Sequence, residues 1–470
     1  MRRCAGPVAH VRRGVGWAVV VQLTFVICLQ HRASASGNAI ARFGGEHGTV
    51  NALNPTALYY NPGALGFSDG VQLFVDGQLA LRSLQWSHQL APTDAAEADG
   101  FAGANSGTAK ALNVFGGPML GGSLRVGDFV FGAAGYAPFG GNVSFERNER
   151  FAGTQYPGAA DGVARWHAFD AATMSIYGTV GAAYRYGPVS IGLTANLIYT
   201  TVSLDRAQNV DGSNDLTGEG RSRLRASGLN GSFGAGVLVE LVPQLLWLGA
   251  SYQAQPGLGT MALNGTLEVD ATIPRDPENA LRSDITLHQA LPDIWRLGAR
   301  WKPAADLELR VAGDLTRWSV SRTQCVAVRG LACVVDADGN ATEDSGVVIN
   351  MRRYWRDTVG VRVGASYWAT PGLELFAGLG YESAAAPDTT IDPVLADASN
   401  IAAAIGGRLQ VLDTWFIAAS YTQLQFLDRD NTGKSQLADL EVGAVTRRPD
   451  GGGRYSQWVG ILNANVLKQF

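Results

Sequence analysis

Val71-Gln72-Leu73-Phe74-Val75-Asp76-Gly77-Gln78-Leu79-Ala80-Leu81-Arg82 alternates in character from residue to residue. Val71, Leu73, Val75, Gly77, Leu79 and Leu81 fall on one side, and Gln72, Phe74, Asp76, Gln78, Ala80 and Arg82 on the other. Successive side chains of a β-strand point to opposite faces, so the segment has one apolar and one largely polar side. Residues 306–316 repeat the pattern: Leu307, Leu309, Val311, Gly313 and Leu315 oppose Asp306, Glu308, Arg310, Ala312, Asp314 and Thr316. Several such runs follow a turn that contains proline or glycine, at Gly187-Pro188, Val242-Pro243, Lys302-Pro303 and Thr370-Pro371-Gly372, with Asp413-Thr414 a looser copy. Proline suits a turn because in mid-strand it removes a ladder hydrogen bond. Long polar connectors, at roughly 141–170, 205–230, 321–355, 384–399 and 427–453, alternate with these short turns.

Short turns at one end and long loops at the other describe a transmembrane antiparallel β-barrel of the outer-membrane type. Closure satisfies every backbone group that lipid cannot, and the polar strand faces then line a wet lumen. With some 25 to 30 residues per strand and connection, residues 71–470 predict about 14 strands, 12 to 16 being compatible. The expected lumen-lining residues are Gln72, Phe74, Asp76, Asp306, Glu308, Arg310 and Asp314, and Trp247, Trp318, Trp415 and Trp458 are expected in the interfacial girdle. In the last strand Trp458, Gly460, Leu462, Ala464, Val466 and Phe470 are in phase, broken only by Lys468. An exported β-sandwich or propeller would alternate too. Four charged residues on one face of one strand fit a wet lumen better.

Composition agrees. Of 470 residues 46% are hydrophobic and only 17% charged, against about 25% charged in an ordinary soluble domain. The 59 glycines follow no three-residue period, which excludes collagen. A formal charge of -4 speaks against nucleic acid as a partner.

The amino terminus is separate in kind. Arg2, Arg3, Arg12 and Arg13 precede an uncharged apolar run from Gly14 to Leu29, and Ala33-Ser34-Ala35 follows. This is a signal-peptide pattern, with residues 1–35 removed after Ala35; an uncleaved anchor is the alternative. Export would leave 32 basic against 41 acidic residues, a net charge of -9. Cys325 and Cys333, eight apart in a loop, would then be free to form a disulfide in an oxidising compartment. Residues 36–70 do not alternate. They contain two Asn-Pro steps, Asn54-Pro55 and Asn61-Pro62, followed by Gly63. We read them as a hatch inside the lumen, the alternative being a periplasmic extension.

Three blocks resemble the outer-membrane long-chain fatty acid transporter family, which includes uptake proteins for aromatic hydrocarbons. Ala57-Leu58-Tyr59-Tyr60-Asn61-Pro62-Gly63-Ala64-Leu65 is similar to the family's hatch motif around Asn-Pro-Ala. Leu291-Pro292-Asp293-Ile294-Trp295 with Leu309 to Trp318 resembles an internal block, and Trp355 to Ser383 with Pro387 to Asp397 resembles the late hairpin and its loop. Terminal Phe470 resembles the aromatic that the barrel insertion machinery reads. The resemblance implies 14 strands, a monomer, and passive uptake of a hydrophobic small molecule, most simply a long-chain fatty acid. The ligand would pass a gate at Asn54, Pro55, Asn61, Pro62 and Gly63 and leave sideways into outer-membrane lipid. Aromatic hydrocarbon uptake by the same route and a general porin are the alternatives. Gly63 in place of alanine is expected to loosen the hatch backbone. With only four lysines in the chain, a ligand carboxylate would fall to an arginine. Catalysis has no support: the nearest grouping is His288 with Asp284 and Ser283, and no cofactor or metal motif is present.

Overall fold

The computed structural model describes residues 41–270, 281–343, 345–441 and 443–470. The predicted signal peptide and residues 36–40 of the predicted hatch lie outside them. Fourteen strands form one closed antiparallel barrel: β1 Val71–His88, β2 Gly107–Val126, β3 Phe129–Ser144, β4 Asp170–Tyr186, β5 Val189–Gln208 and β6 Gly220–Val242. Next come four strands that are each broken once: β7 Leu246–Gln253 and Thr260–Asp270, β8 Leu281–Ala290 and Ile294–Ala304, β9 Leu307–Thr316 and Thr323–Val328, and β10 Val347–Arg352 and Thr358–Thr370. β11 Leu373–Glu382, β12 Asn400–Leu412, β13 Trp415–Phe426 and β14 Arg454–Gln469 complete the wall. The barrel closes where β1 pairs with β14, from Gln72↔Gln469 to Ser87↔Arg454, and the Phe470 N–H donates to Val71 O.

Alternation sets the register, because a slip of one residue would turn every side chain to the wrong face. On β1, Leu73 and Leu79 are 51% and 53% exposed, whereas Asp76 and Arg82 are each 1% exposed. Leucine therefore faces lipid and the charged groups face inward. On the first half of β9, Glu308, Arg310, Ala312 and Thr316 point inward, and Val311 and Leu315 outward. Asp306 does not join them. The Lys302-Pro303 step is still in β8, and the turn is Ala305-Asp306, which leaves Asp306 exposed at the rim. The girdle expectation also needs correction. Trp247 and Trp318 are buried on the inside, whereas Trp415 and Trp458 are half-buried at the wall, Trp415 beneath the Lys468 ammonium at 4.5 Å.

Two irregularities shape the interior. The breaks at residues 254–259, 291–293, 317–322 and 353–357 fall in four neighbouring strands. Proline and positive backbone angles accompany them: Pro256, Gly257 (φ 72°), Leu258 (φ 53°), Pro292 and Tyr354 (φ 46°). Freed backbone groups are re-paired across the breaks, as in Arg353 N to Arg322 O (2.8 Å) and Arg317 N to Asp293 O (3.0 Å). The second irregularity is between β2 and β3. Their ladder runs only from Val126↔Phe129 to Leu120↔Gly135 and then stops. Pro118 and Pro138, which have no N–H to give, stand just beyond its end. The two chains meet again where Glu146 N donates to Lys110 O at 2.8 Å. Between these points the wall is unzipped.

Candidate functional site

Residues 41–68 lie inside the lumen, and Asp69 and Gly70 are exposed at the entry to β1. A 3-10 turn Gly45–His47, a single helical turn α1 Ala57–Tyr60 and a longer 3-10 segment Pro62–Phe67 give the hatch its shape. Asn54 Oδ1 accepts from Thr56 N (3.0 Å) and Thr56 Oγ1 (2.6 Å), which starts the turn of α1. Pro55 is buried above Gly121 of β2. Asn61 is fully buried. Its Oδ1 accepts from Gly63 N at 3.0 Å, and its Nδ2 donates to Val50 O at 2.8 Å and to Val237 O of β6 at 3.0 Å. One side chain thus ties two parts of the hatch to the wall.

That contact is close because both sides are small. A Cβ on Gly63 would lie 2.7 Å from Gly236 O, and one on Gly192 would lie 2.4 Å from Pro62 O. Gly63 does not have a positive φ. Close approach to β5 and β6, rather than a loosened backbone, is what glycine provides here. The other end of the hatch is held by polar groups: Asn463 Nδ2 donates to Arg42 O (3.1 Å) and to Asp76 Oδ2 (3.1 Å), and His47 Nε2 donates to Glu374 Oε1 (2.7 Å).

The other predicted lumen residues divide by neighbourhood. Gln72 is buried and Phe74 joins a ring cluster with Phe43, Tyr59, Tyr60, Tyr136 and Tyr177. Glu308 bonds to Arg300 Nε at 2.8 Å and lies 3.9 Å from Arg310. Arg310 donates to Ser366 Oγ (2.6 Å), and Asp314 faces Arg362 at 3.7 Å. Cys325 and Cys333 are joined, with Cα atoms 6.3 Å apart. His288 is no part of a catalytic set. Asp284, four residues along the strand or about 13 Å, pairs with Arg329 at 3.2 Å.

Above the hatch is an apolar cavity of about 100 Å³. Val143, Leu204, Leu224 and Leu287 supply its barrel walls, while Leu291, Trp318, Arg353 and Trp355 come from the strand breaks or their edges. Val394 and Leu395, in the loop after β11, form its outer side. Trp318 and Trp355 pack edge to face with centroids 4.8 Å apart. The cation in the lining is Arg353, which donates to Asp392 Oδ2 (2.7 Å) and Gln324 Oε1 (2.8 Å). Its Nη2 meets only the Met351 sulfur, at 3.8 Å. Arg448 shares Asp392 at 3.2 Å, and Arg206 is buried within electrostatic reach of both. Three buried guanidinium groups therefore face one carboxylate. That carboxylate is held below its ordinary pKa range by Arg353 and Arg448, against the opposing effect of its burial.

A family model for outer membrane protein transport proteins (OMPP1/FadL/TodX) matches residues 27–448. The chain belongs to this family. It is an outer-membrane transporter of hydrophobic compounds rather than an enzyme. Solved structures share its fold, among them these three. A FadL homologue of Pseudomonas aeruginosa has 16% identity and a TM-score of 0.72, over 93% of this chain and 99% of that one. The toluene transporter TbuX of Ralstonia pickettii has 14% identity and a TM-score of 0.60, over 93% and 99%. The toluene transporter TodX of P. putida has 14% identity and a TM-score of 0.61, over 93% and 98%. A search of the curated proteins finds no match.

Within this FadL/TodX-type barrel, sequence reasoning found the hatch and the lumen faces but missed the cavity. Its residues are scattered over seven strands and a loop. The available signal was local: the Leu291-Pro292-Asp293 and Trp355-Arg356-Asp357 blocks that carry the resemblance lie at strand breaks.

Proposed function

We propose that this protein takes up long-chain fatty acids, or amphiphiles of that shape, through the cavity and out through the unzipped wall between β2 and β3. The observation that carries this reading is an apolar cavity beside a buried excess of arginine. An alkyl tail gains about 0.8 kcal/mol for each CH₂ it buries, and Leu204, Leu224, Leu287, Leu291 and the two tryptophans offer it that burial. A carboxylate would sit at the free Nη2 edge of Arg353, where the surrounding guanidinium groups lack a matching anion. Passage is passive, the barrel acts as a monomer, and lateral release delivers the ligand to outer-membrane lipid. Insertion machinery reading Phe470 is part of the same proposal.

A second reading is uptake of neutral aromatic hydrocarbons. The pairing of Arg353 with Asp392 favours it, since a neutral ligand would leave that pair undisturbed. Equilibrium binding of oleate, oleyl alcohol and toluene to the purified barrel separates the two. The fatty acid reading expects Arg353→Met to weaken oleate by roughly tenfold, the loss of one charge-assisted hydrogen bond of about 1.5 kcal/mol, and to leave oleyl alcohol unchanged. Equal effects on all three ligands, or toluene binding alone, would reject it.

A further inference from the structure

We infer that Phe139 is the valve between the cavity and the break in the wall, an inference that rests on the uptake reading above. The sequence around it is Tyr136-Ala137-Pro138-Phe139-Gly140-Gly141. In the β3–β4 ladder Tyr136 pairs with Tyr177 and Phe139 with Ser175, so two residues, Ala137 and Pro138, stand opposite Ile176 alone. This is a β-bulge, and an extra residue reverses the alternation beyond it. Counted from inward-facing Tyr136, position 139 would otherwise face lipid. The bulge turns it inside, together with buried Gly141 and Val143. It does so at the height where β3 has parted from β2.

The ring lies between two separate packed groups. On one side it packs with the cavity cluster, its centroid 6.4 Å from that of Trp318. On the other it packs with the hatch rings, 6.4 Å from Tyr177. No other side chain among the described residues belongs to both groups. Phe139 is only half-buried, and Gly140 and Gly141 follow it. Pro138 holds the backbone before it at a fixed φ. Gly141 and Val143 line the cavity, and Phe139 stands beside them on the same inward face of the parted strand.

The test is a size series, Phe139→Ala, Phe139→Leu and Phe139→Trp, in the full-length exported protein. Two readouts are needed: equilibrium binding of labelled oleate to the purified barrel, and the initial rate of labelled oleate entry into cells. A valve predicts opposite signs. Alanine speeds entry by about threefold or more, tryptophan slows it by a similar factor, and leucine falls between, with binding changed less than about twofold. A packing role predicts that alanine slows entry or leaves it unchanged, which would overturn the proposal. If the unaltered protein binds and admits oleate but the series is flat, the valve alone fails. If the unaltered protein neither binds nor admits oleate, the uptake reading fails and the valve falls with it. Heat-modifiable migration of each variant on gels verifies that the barrel has folded.

Discussion

At the scale of single residues, the hatch is fixed by contacts that exclude side chains. Gly63→Ala places a Cβ 2.7 Å from a wall carbonyl, and overpacking of this kind costs about 1–3 kcal/mol. We predict that Gly63→Ala leaves the barrel folded but raises protease cleavage between residues 41 and 70. Unchanged protection would mean that the hatch does not need this approach. Asn61 was legible in sequence as half of an Asn-Pro turn, and its Oδ1 bond to Gly63 N is the local bond such a turn makes. Its grip on Val237 O was not legible, because no pattern in residues 51–65 names a partner more than 170 positions away. The same holds for Gly192 and Gly236. In the sequence they are two glycines among 59; in the fold they are the seat of the hatch.

At the scale of elements, period-two alternation made the strand faces readable wherever lipid and lumen impose opposite demands. The reading failed where that demand lapses. Asp306 continues the polar phase of β9 by count, yet a turn has begun there. Trp318 lies in a strand break and by count continues the inward phase of Glu308, Arg310 and Thr316, so its register already opposed a place in the girdle. The unzipped stretch of β2 and β3 was hidden for a related reason. Nothing in the sequence links Pro118 to Pro138, and only the register shows that they flank the same gap. Amides that lack a ladder partner exchange quickly. Hydrogen exchange of the barrel in detergent should therefore show faster exchange at the amides of residues 140–143 that point toward β2, the others being held by β4, than in residues 130–135. Equal protection in both stretches would mean that the wall is zipped throughout.

At the scale of the whole molecule, a folded layer of extracellular loops covers the cavity, and its packing depends on charge state. His167 is fully buried, and burial with the nearby Arg448 guanidinium lowers its pKa to about 3. Its Nε2–H donates to Asp450 O at 3.1 Å, and Nδ1 has no donor facing it, so the neutral form fits. Unfolded loops would bind a proton near pH 6.5, whereas the packed loops do not until about pH 3. Stability from this residue is therefore complete above pH 6.5 and falls as the pH drops below it. Asp392, held ionised by Arg353 and Arg448, adds a further loss below its ordinary value near 3.8. We expect limited proteolysis of the loops to accelerate between pH 7 and pH 4.5, and His167→Gln to remove most of that change. A variant with the same pH response as the parent would assign the effect elsewhere.

The barrel, its strand number and the family were readable from the chain because they repeat or are local. The cavity, the hatch seat and the wall break were not, since each is assembled from distant strands. The central claim is that these three parts form one route for a hydrophobic acid. The measurement that tests it most directly is entry of labelled oleate into cells with and without the gene, with leakage of a small hydrophilic solute followed in parallel. The route predicts faster oleate entry in cells carrying the gene and no change in hydrophilic leakage. Unchanged oleate entry with increased hydrophilic leakage would contradict it and leave an open pore.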